Sequence, residues 1–218
     1  MSYAISLYHD QITSEITDDT FLPAANRLLY ARFGTLCVNG TKLSPGKAMG
    51  TKEALTITAS DDWAQLWRWE ITPVNTRPAL LTDTGTASCQ KLSTAITHVN
   101  LFEGDPWLLR LDQMIFPAGY IVPCHTNAGP GIRCVKYGEF NFEEGGHGMR
   151  RIQPGEAFFE SGSEPCTAWG SDQMETSFIR AMILKRDWKE QMATSFPDHS
   201  KLKPGPQWVL LHEFEITL

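Results

Sequence analysis

The 218-residue chain predicts an all-β protein built from two barrel-like units in tandem. Three observations carry this. Short runs that alternate apolar and polar residues recur along the chain, each closed by glycine, proline or asparagine, as in sandwiches and barrels. The order of these runs in the first half is repeated in the second at an offset of about a hundred residues, the size of one small β-barrel. Between the two sets, residues 72–93 are rich in Thr, Pro, Gly and Ser, the composition of a connection rather than a packed element.

Taken in order, the opening up to about residue 25 is mixed. Asp10, Thr13, Glu15, Asp18, Asp19 and Pro23 interrupt any pattern. A strand is predicted over residues 27–33, ending at Gly34. Another covers 35–38 and closes at Asn39-Gly40, the strongest short hairpin signal, because both residues tolerate the positive φ such turns require. Residues 54–59 form the next β-rich run, Asp61-Asp62 turns it, and 64–71 alternate at period two. From Ile96 the pattern resumes. Strands are predicted over 108–116 (ended by Pro117), 131–137, 139–143 (turned at Gly145-Gly146), 157–160 (after Pro154-Gly155), 176–184 and 207–214, with one or two helical turns over 186–192. The repeat is visible in the letters: Tyr30-x3-Gly34-x3-Val38 parallels Cys134-x3-Gly138-x3-Phe142, and 65–71 matches 178–184. The predicted domains are 1–95 and 96–218.

Bulk properties narrow the function classes. The chain is 42% hydrophobic, enough for one large or two small cores. The net charge is −6, and the 19 basic residues are scattered with no Lys/Arg run, which argues against a nucleic-acid partner. No apolar run approaches the roughly 18–20 residues that cross a bilayer, so no membrane role is expected. The first residues lack a signal-peptide pattern, and the five cysteines are odd in number without C-x-x-C spacing. Free thiols in a cytoplasmic protein are the expectation. No nucleophile elbow, phosphate-binding loop, H-E-x-x-H or dinucleotide fingerprint occurs.

One stretch concentrates the chemistry. It runs from Gly119 through His125 and Asn127 to Gly138, and Pro154-Gly155 to Glu160 answers it. Together they resemble the two signature segments of the cupin superfamily (the RmlC-like jelly roll), written G-x5-H-x-H-x3,4-E-x6-G and G-x5-P-x-G-x2-H-x3-N. Gly119 followed by five residues and His125 fits the first. Asn127 stands at the second histidine and Gly131 at the glutamate. In the second segment Gly155 fits, while Ser161, Ser163 and Cys166 stand for Pro, Gly and the last His. The likeness covers residues 108–184 well and extends to 27–71 as a degraded unit with no ligand set. It implies a double-stranded β-helix in two copies, a bicupin, with edge strands pairing into a homodimer.

The resemblance also implies one divalent metal (zinc, iron, nickel or manganese) and, for an enzyme, a metal-dependent oxygenase or isomerase. The candidate ligands are His125, Asn127 and Cys166, with Glu160 as a fourth. A thiolate at Cys166 would favour zinc or another thiophilic ion. The alternative is a metal-free barrel in which Cys166 is a small buried apolar residue and His125 is simply hydrogen-bonded. His125 and Glu160 are the catalytic candidates. Cys124 is set aside, since neighbours in a strand face opposite ways.

Strand parity adds a further residue. In cupins the glutamate position faces the interior, so from 131 onward positions 133 and 135 face inward as well. That places Arg133, which cannot shed its charge, inside the barrel. It requires a carboxylate there, and Glu160 is the nearest by motif. Either the two form a buried structural pair, or Arg133 presents its fork to a substrate carboxylate. Tyr120, Phe159 and Asn127 complete the substrate-binding set, with Trp107 and Trp169 as further apolar walls and Arg180 as a second basic group. His147 sits at a hairpin tip. The resulting expectation is a cupin-type protein that binds a small anionic molecule, a carboxylate, in its C-terminal barrel, with enzyme activity at an altered metal site left open. The alternative is a metal-free, non-catalytic cupin with a structural or interaction role.

Overall fold

The computed structural model describes residues 2–14, 20–81, 87–97, 105–195 and 205–217. The chain divides into two compact units, residues 1–101 and 102–218. Among the described residues no helix is long and apolar enough to cross a membrane.

The first unit contains β1 (Tyr3–Thr13), β2 (Thr20–Leu22), β3 (Asn26–Phe33), β4 (Leu36–Val38), β5 (Thr41–Leu43), β6 (Ala48–Thr51), β7 (Leu55–Ala59), β8 (Trp63–Pro73) and β9 (Ala87–Thr97). They form an antiparallel five-stranded sheet of order β6-β3-β8-β1-β9 and a four-stranded sheet of order β2-β7-β4-β5. The Asn39-Gly40 hairpin forms as its chemistry requires, with φ of 47° and 78° joining β4 to β5.

The second unit contains β10 (Trp107–Phe116), β11 (Ile121–Asn127), β12 (Gly131–Tyr137), β13 (Phe140–Glu144), β14 (Arg150–Ile152), β15 (Ala157–Glu160), β16 (Cys166–Gly170), β17 (Thr176–Lys185), β18 (Thr194–Ser195) and β19 (Gln207–Ile216). Its sheets have the orders β15-β12-β17-β10-β19 and β14-β13-β16-β11-β18. Position by position the two units share one topology, and the second adds β18 beyond β11. Even the irregularities recur. A bulge after Ala31 in β3 matches one after Val135 in β12, and an extra residue in β9 opposite Leu7 and Tyr8 matches one in β19 opposite Leu111 and Asp112.

Two differences from the sequence reading come from lost alternation, for opposite reasons. The mixed opening is the long central strand β1, and part of the expected connection is the edge strand β9. Strand β1 is buried on both faces, with Ile5, Leu7 and Ile12 beside the charged Asp10, so it shows no period-two alternation. Strand β9 has many exposed positions and so lacks the apolar repeat. The helical turns expected over 186–192 reduce to a single 3-10 turn at Arg186–Trp188.

Each unit buries its own core between its two sheets. In the first this is aliphatic, with Ile12, Leu29, Leu36, Val38, Ile57 and Leu66. In the second it is aromatic: Phe116, Phe140, Phe142, Phe158 and Phe178 pack with ring centroids 4.7–6.5 Å apart.

Candidate functional site

The polar cluster of the second unit begins on β11. Pro123 has no N–H to continue the ladder, and the pairing with β16 slips between Val122 and His125. The freed carbonyl of Pro123 lies 2.8 Å from His125 Nδ1. With Nδ1–H donating there, Nε2 carries the lone pair. It lies 3.2 Å from Sγ of Cys166, which sits directly opposite His125 on β16. Both side chains are buried. Burial lowers the pKa of His125, against the opposing pull of Glu160. Burial, reinforced by Glu160, raises that of the Cys166 thiol well above its ordinary value. The resting pair is therefore neutral thiol donating to neutral imidazole. Cys124 is exposed, as its parity requires.

Two arginines face each other across β12 and β17, Arg133 opposite Arg180, both buried. Like charges in register repel, so each needs its own carboxylate. Arg180 has one in full: Nε donates to Asp112 Oδ1 at 2.7 Å and Nη2 to Oδ2 at 3.0 Å, and Trp208 Nε1 reaches the same Oδ2 at 3.0 Å. Arg133 is served less well. Its Nη1 donates to the carbonyl of Gly131 at 2.8 Å. Its Nη2 lies 2.7 Å from Glu160 Oε2, but off the donor axis, so the contact is Coulombic rather than a well-aligned hydrogen bond. Its Nε has no partner among the described residues. Burial pulls the pKa of Arg133 down, and Glu160 opposes the shift.

Asn127 ties the cluster together. Its Nδ2 donates to Glu160 Oε2 at 2.7 Å, and its Oδ1 accepts from Arg180 Nη1 at 3.2 Å and from Thr194 Oγ1 at 3.0 Å. Beside these groups lies a cavity of about 20 Å³, room for a water or two. His125, Asn127, Arg133, Glu160, Arg180 and Thr194 line one part of it; Met114, Phe116, Val122, Phe140, Phe178 and Pro206 line the rest.

Of the expected site residues, His125, Asn127, Arg133, Glu160, Cys166 and Arg180 come together, and the structural pair Arg133–Glu160 is formed. The remaining ones do not join them. Phe159 alternates with Phe158 and Glu160 on β15, so it takes the other face of the strand, and Phe158 fills the core instead. Tyr120 packs at the end of that core, 6.1 Å from Phe116, and does not line the cavity. Neither Trp107 nor Trp169 lines it; Trp169 alternates with the core residue Ala168. The walls come from β10, β11, β13 and β17. Asp112 and Thr194 were missed. Asp112 is a lone acid in the apolar strand β10, on the same parity as Met114 and Phe116, which was a readable signal. Thr194 reaches the site through tertiary pairing of β18 with β11 and has no such signal.

A metal of the kind the fold implies meets a partial donor set. His125, Glu160 and Cys166 bring their donor atoms within 4.8 Å of one another, and the Nδ1–H of His125 is anchored on a carbonyl in the way ligating histidines are. One imidazole, one thiolate and one carboxylate fit a thiophilic divalent cation such as zinc with an open position. Asn127 is not available as a ligand, because both ends of its amide are already hydrogen-bonded within the cluster. The glutamate position is closed as well: a Cβ on Gly131 would collide with the carbonyl of Ala181.

The first unit fills the matching place with its own charges. Arg68 on β8 sets Nε on Asp10 Oδ2 at 2.7 Å and Nη2 on Oδ1 at 3.3 Å, shares Glu70 with Arg27, and stacks 4.3 Å above Tyr8. Asp10 and Glu70 together balance Arg27 and Arg68.

No family model matches the sequence, and no curated protein matches it. Solved structures do. The putative glyoxylate induced protein from Pseudomonas aeruginosa aligns at 12% identity over 84% of this chain and 75% of that one, with a TM-score of 0.53. A salicylate 1,2-dioxygenase variant from Pseudoaminobacter salicylatoxidans, in complex with gentisate, aligns at 11% over 81% and 68%, with a TM-score of 0.52. A cupin 2 conserved barrel domain protein from Leptotrichia buccalis aligns at 17% over 84% of both chains, with a TM-score of 0.47. At such identities the likeness concerns architecture. With two units of one jelly-roll topology, the chain has a cupin-type fold.

Proposed function

We propose that the second unit binds a small anion, a carboxylate, through Arg133. The observation that supports this is the state of the Arg133 fork. An arginine takes a carboxylate side-on through Nε and one Nη. Arg180 and Arg68 both use that edge on an aspartate. On Arg133 the same edge carries one off-axis contact and an Nε without a partner among the described residues, beside a cavity. The apolar walls suit the hydrocarbon part of the ligand, so a carboxylate with a compact apolar body fits best.

Thermal unfolding with benzoate, gentisate and acetate tests the reading. A ligand at a hundred times its Kd stabilises by about 2.7 kcal/mol, a clear rise in Tm. The rise is expected for the wild type and lost in Arg133→Gln. The charge-neutral pair Arg133→Gln with Glu160→Gln serves as the folded, non-binding control. An Arg133→Gln protein that keeps the rise, or a wild type that shows none with any carboxylate, overturns the reading.

A second reading is supported by the convergence of His125, Glu160 and Cys166. In it these three hold a thiophilic divalent cation, which would supply Lewis acidity beside the anion site.

A further inference from the structure

We infer that Glu160 is the resident occupant of the anion site, and that an incoming carboxylate binds by displacing it. This rests on Arg133 being the anchor, and it adds what sets the affinity. The polar cluster is already neutral: Arg133 and Arg180 are matched by Glu160 and Asp112, all four buried. A further anion would leave an uncompensated negative charge against aromatic walls, where charge is poorly screened. It can enter only if one of the two resident carboxylates gives way.

The two are held very differently. Asp112 accepts two aligned hydrogen bonds from Arg180 and one from Trp208, on a central strand of its sheet. Glu160 receives one aligned hydrogen bond, from Asn127, and one off-axis contact from Arg133. It also ends a four-residue strand at the sheet edge, where its backbone is least restrained. Glu160 is therefore the carboxylate that moves. It stands where its strand runs out into the turn 161–164, whose Ser163 and Glu164 are exposed, so the chain beside it opens toward solvent. Its departure exposes the whole Nε/Nη2 edge of Arg133 and adds space to a cavity that now admits little more than water. The ligand class narrows accordingly. A single carboxylate replaces a single carboxylate, so monoanions with a small apolar body are preferred over dianions.

Calorimetric titration with benzoate separates this inference from the reading beneath it. Glu160→Gln keeps the shape but removes the charge, and is expected to bind benzoate roughly tenfold more tightly than the wild type or better, since a buried charge is then left for the ligand to pair. Glu160→Asp, which keeps the charge but withdraws it by one methylene, is expected to fall between the two. If Glu160→Gln binds no more tightly than the wild type while Arg133→Gln loses binding, the displacement is wrong and Arg133 stands as anchor. If Arg133→Gln binds as the wild type does, the anchor itself is wrong. Should Glu160→Gln fail to fold alone, benzoate is expected to restore its folding by pairing Arg133, and failure to do so overturns the proposal.

Discussion

A buried arginine must find a carboxylate, and how completely it does so separates Arg133 from its counterparts. Arg68 and Arg180 occupy the same place in the two units, and each closes its fork on an aspartate of the neighbouring strand. Arg133 has no such aspartate among the described residues. It borrows Glu160 from an edge strand and leaves Nε open. The same carboxylate is the third donor of the His125–Cys166 pair, so one side chain serves two possible partners. A direct prediction concerns the thiol. Cobalt(II) titrated into the reduced protein is expected to produce a sulfur-to-metal charge-transfer band if the three residues hold a cation. Cys166→Ser should abolish the band, and Cys124→Ser, which alters an exposed thiol, should leave it unchanged. A band unaffected by Cys166→Ser would remove the second reading and leave the anion site untouched.

At the scale of elements, the repeated device is a bulge followed by a left-handed glycine. Gly34 has φ of 64° and Gly138 of 77°, each just after the bulge that ends β3 or β12. Neither place admits a side chain. A Cβ on Gly34 would meet the carbonyl of Trp63, and one on Gly138 would lie 2.6 Å from the carbonyl of Glu175. The bulge turns the strand out of one sheet toward the other, so it helps to close each unit. Gly34→Ala and Gly138→Ala are each expected to cost about 2–4 kcal/mol, from the unfavourable φ together with the collision. Urea denaturation measures this. Gly146→Ala provides the contrast: its φ of 73° is also left-handed, but nothing lies within 4 Å, so its cost should be smaller.

For the whole molecule, one topology used twice has been filled in two ways. The first unit seats Arg27, Arg68, Asp10 and Glu70 as a closed network in which Arg68 is fully engaged. The second leaves one arginine under-served beside a cavity and gathers a histidine, a thiol and a carboxylate around it. Ligand effects should respect that division. In hydrogen exchange with and without benzoate, added protection is expected in β11, β12, β15 and β17, with β1, β3 and β8 unchanged. Protection of comparable size in the first unit would contradict the assignment of the site.

Much of the architecture was legible in the letters. Period-two runs and turn residues located β3, β4, β8, β10, β12, β15 and β17, and the spacing of Gly34 and Gly138 exposed the repeat, because these depend on local sterics and on one face being buried. Parity, counted from the glutamate position that the family resemblance places at 131, turned Arg133 inward. The central strand β1 was hidden because burial on both faces erases alternation, and β9 because an edge strand has little to bury. The pocket walls were misread at Phe159 and Tyr120, since an aromatic side chain reveals its size in the sequence but not its face. What the tertiary structure alone decided is the state of each charge. Asp112 and Glu160 are equally acidic in sequence. Only the geometry of Arg180 and Arg133 across β17 and β12 makes the first a closed ion pair and the second a misaligned one, because hydrogen-bond strength depends on direction, and direction exists only in the folded chain.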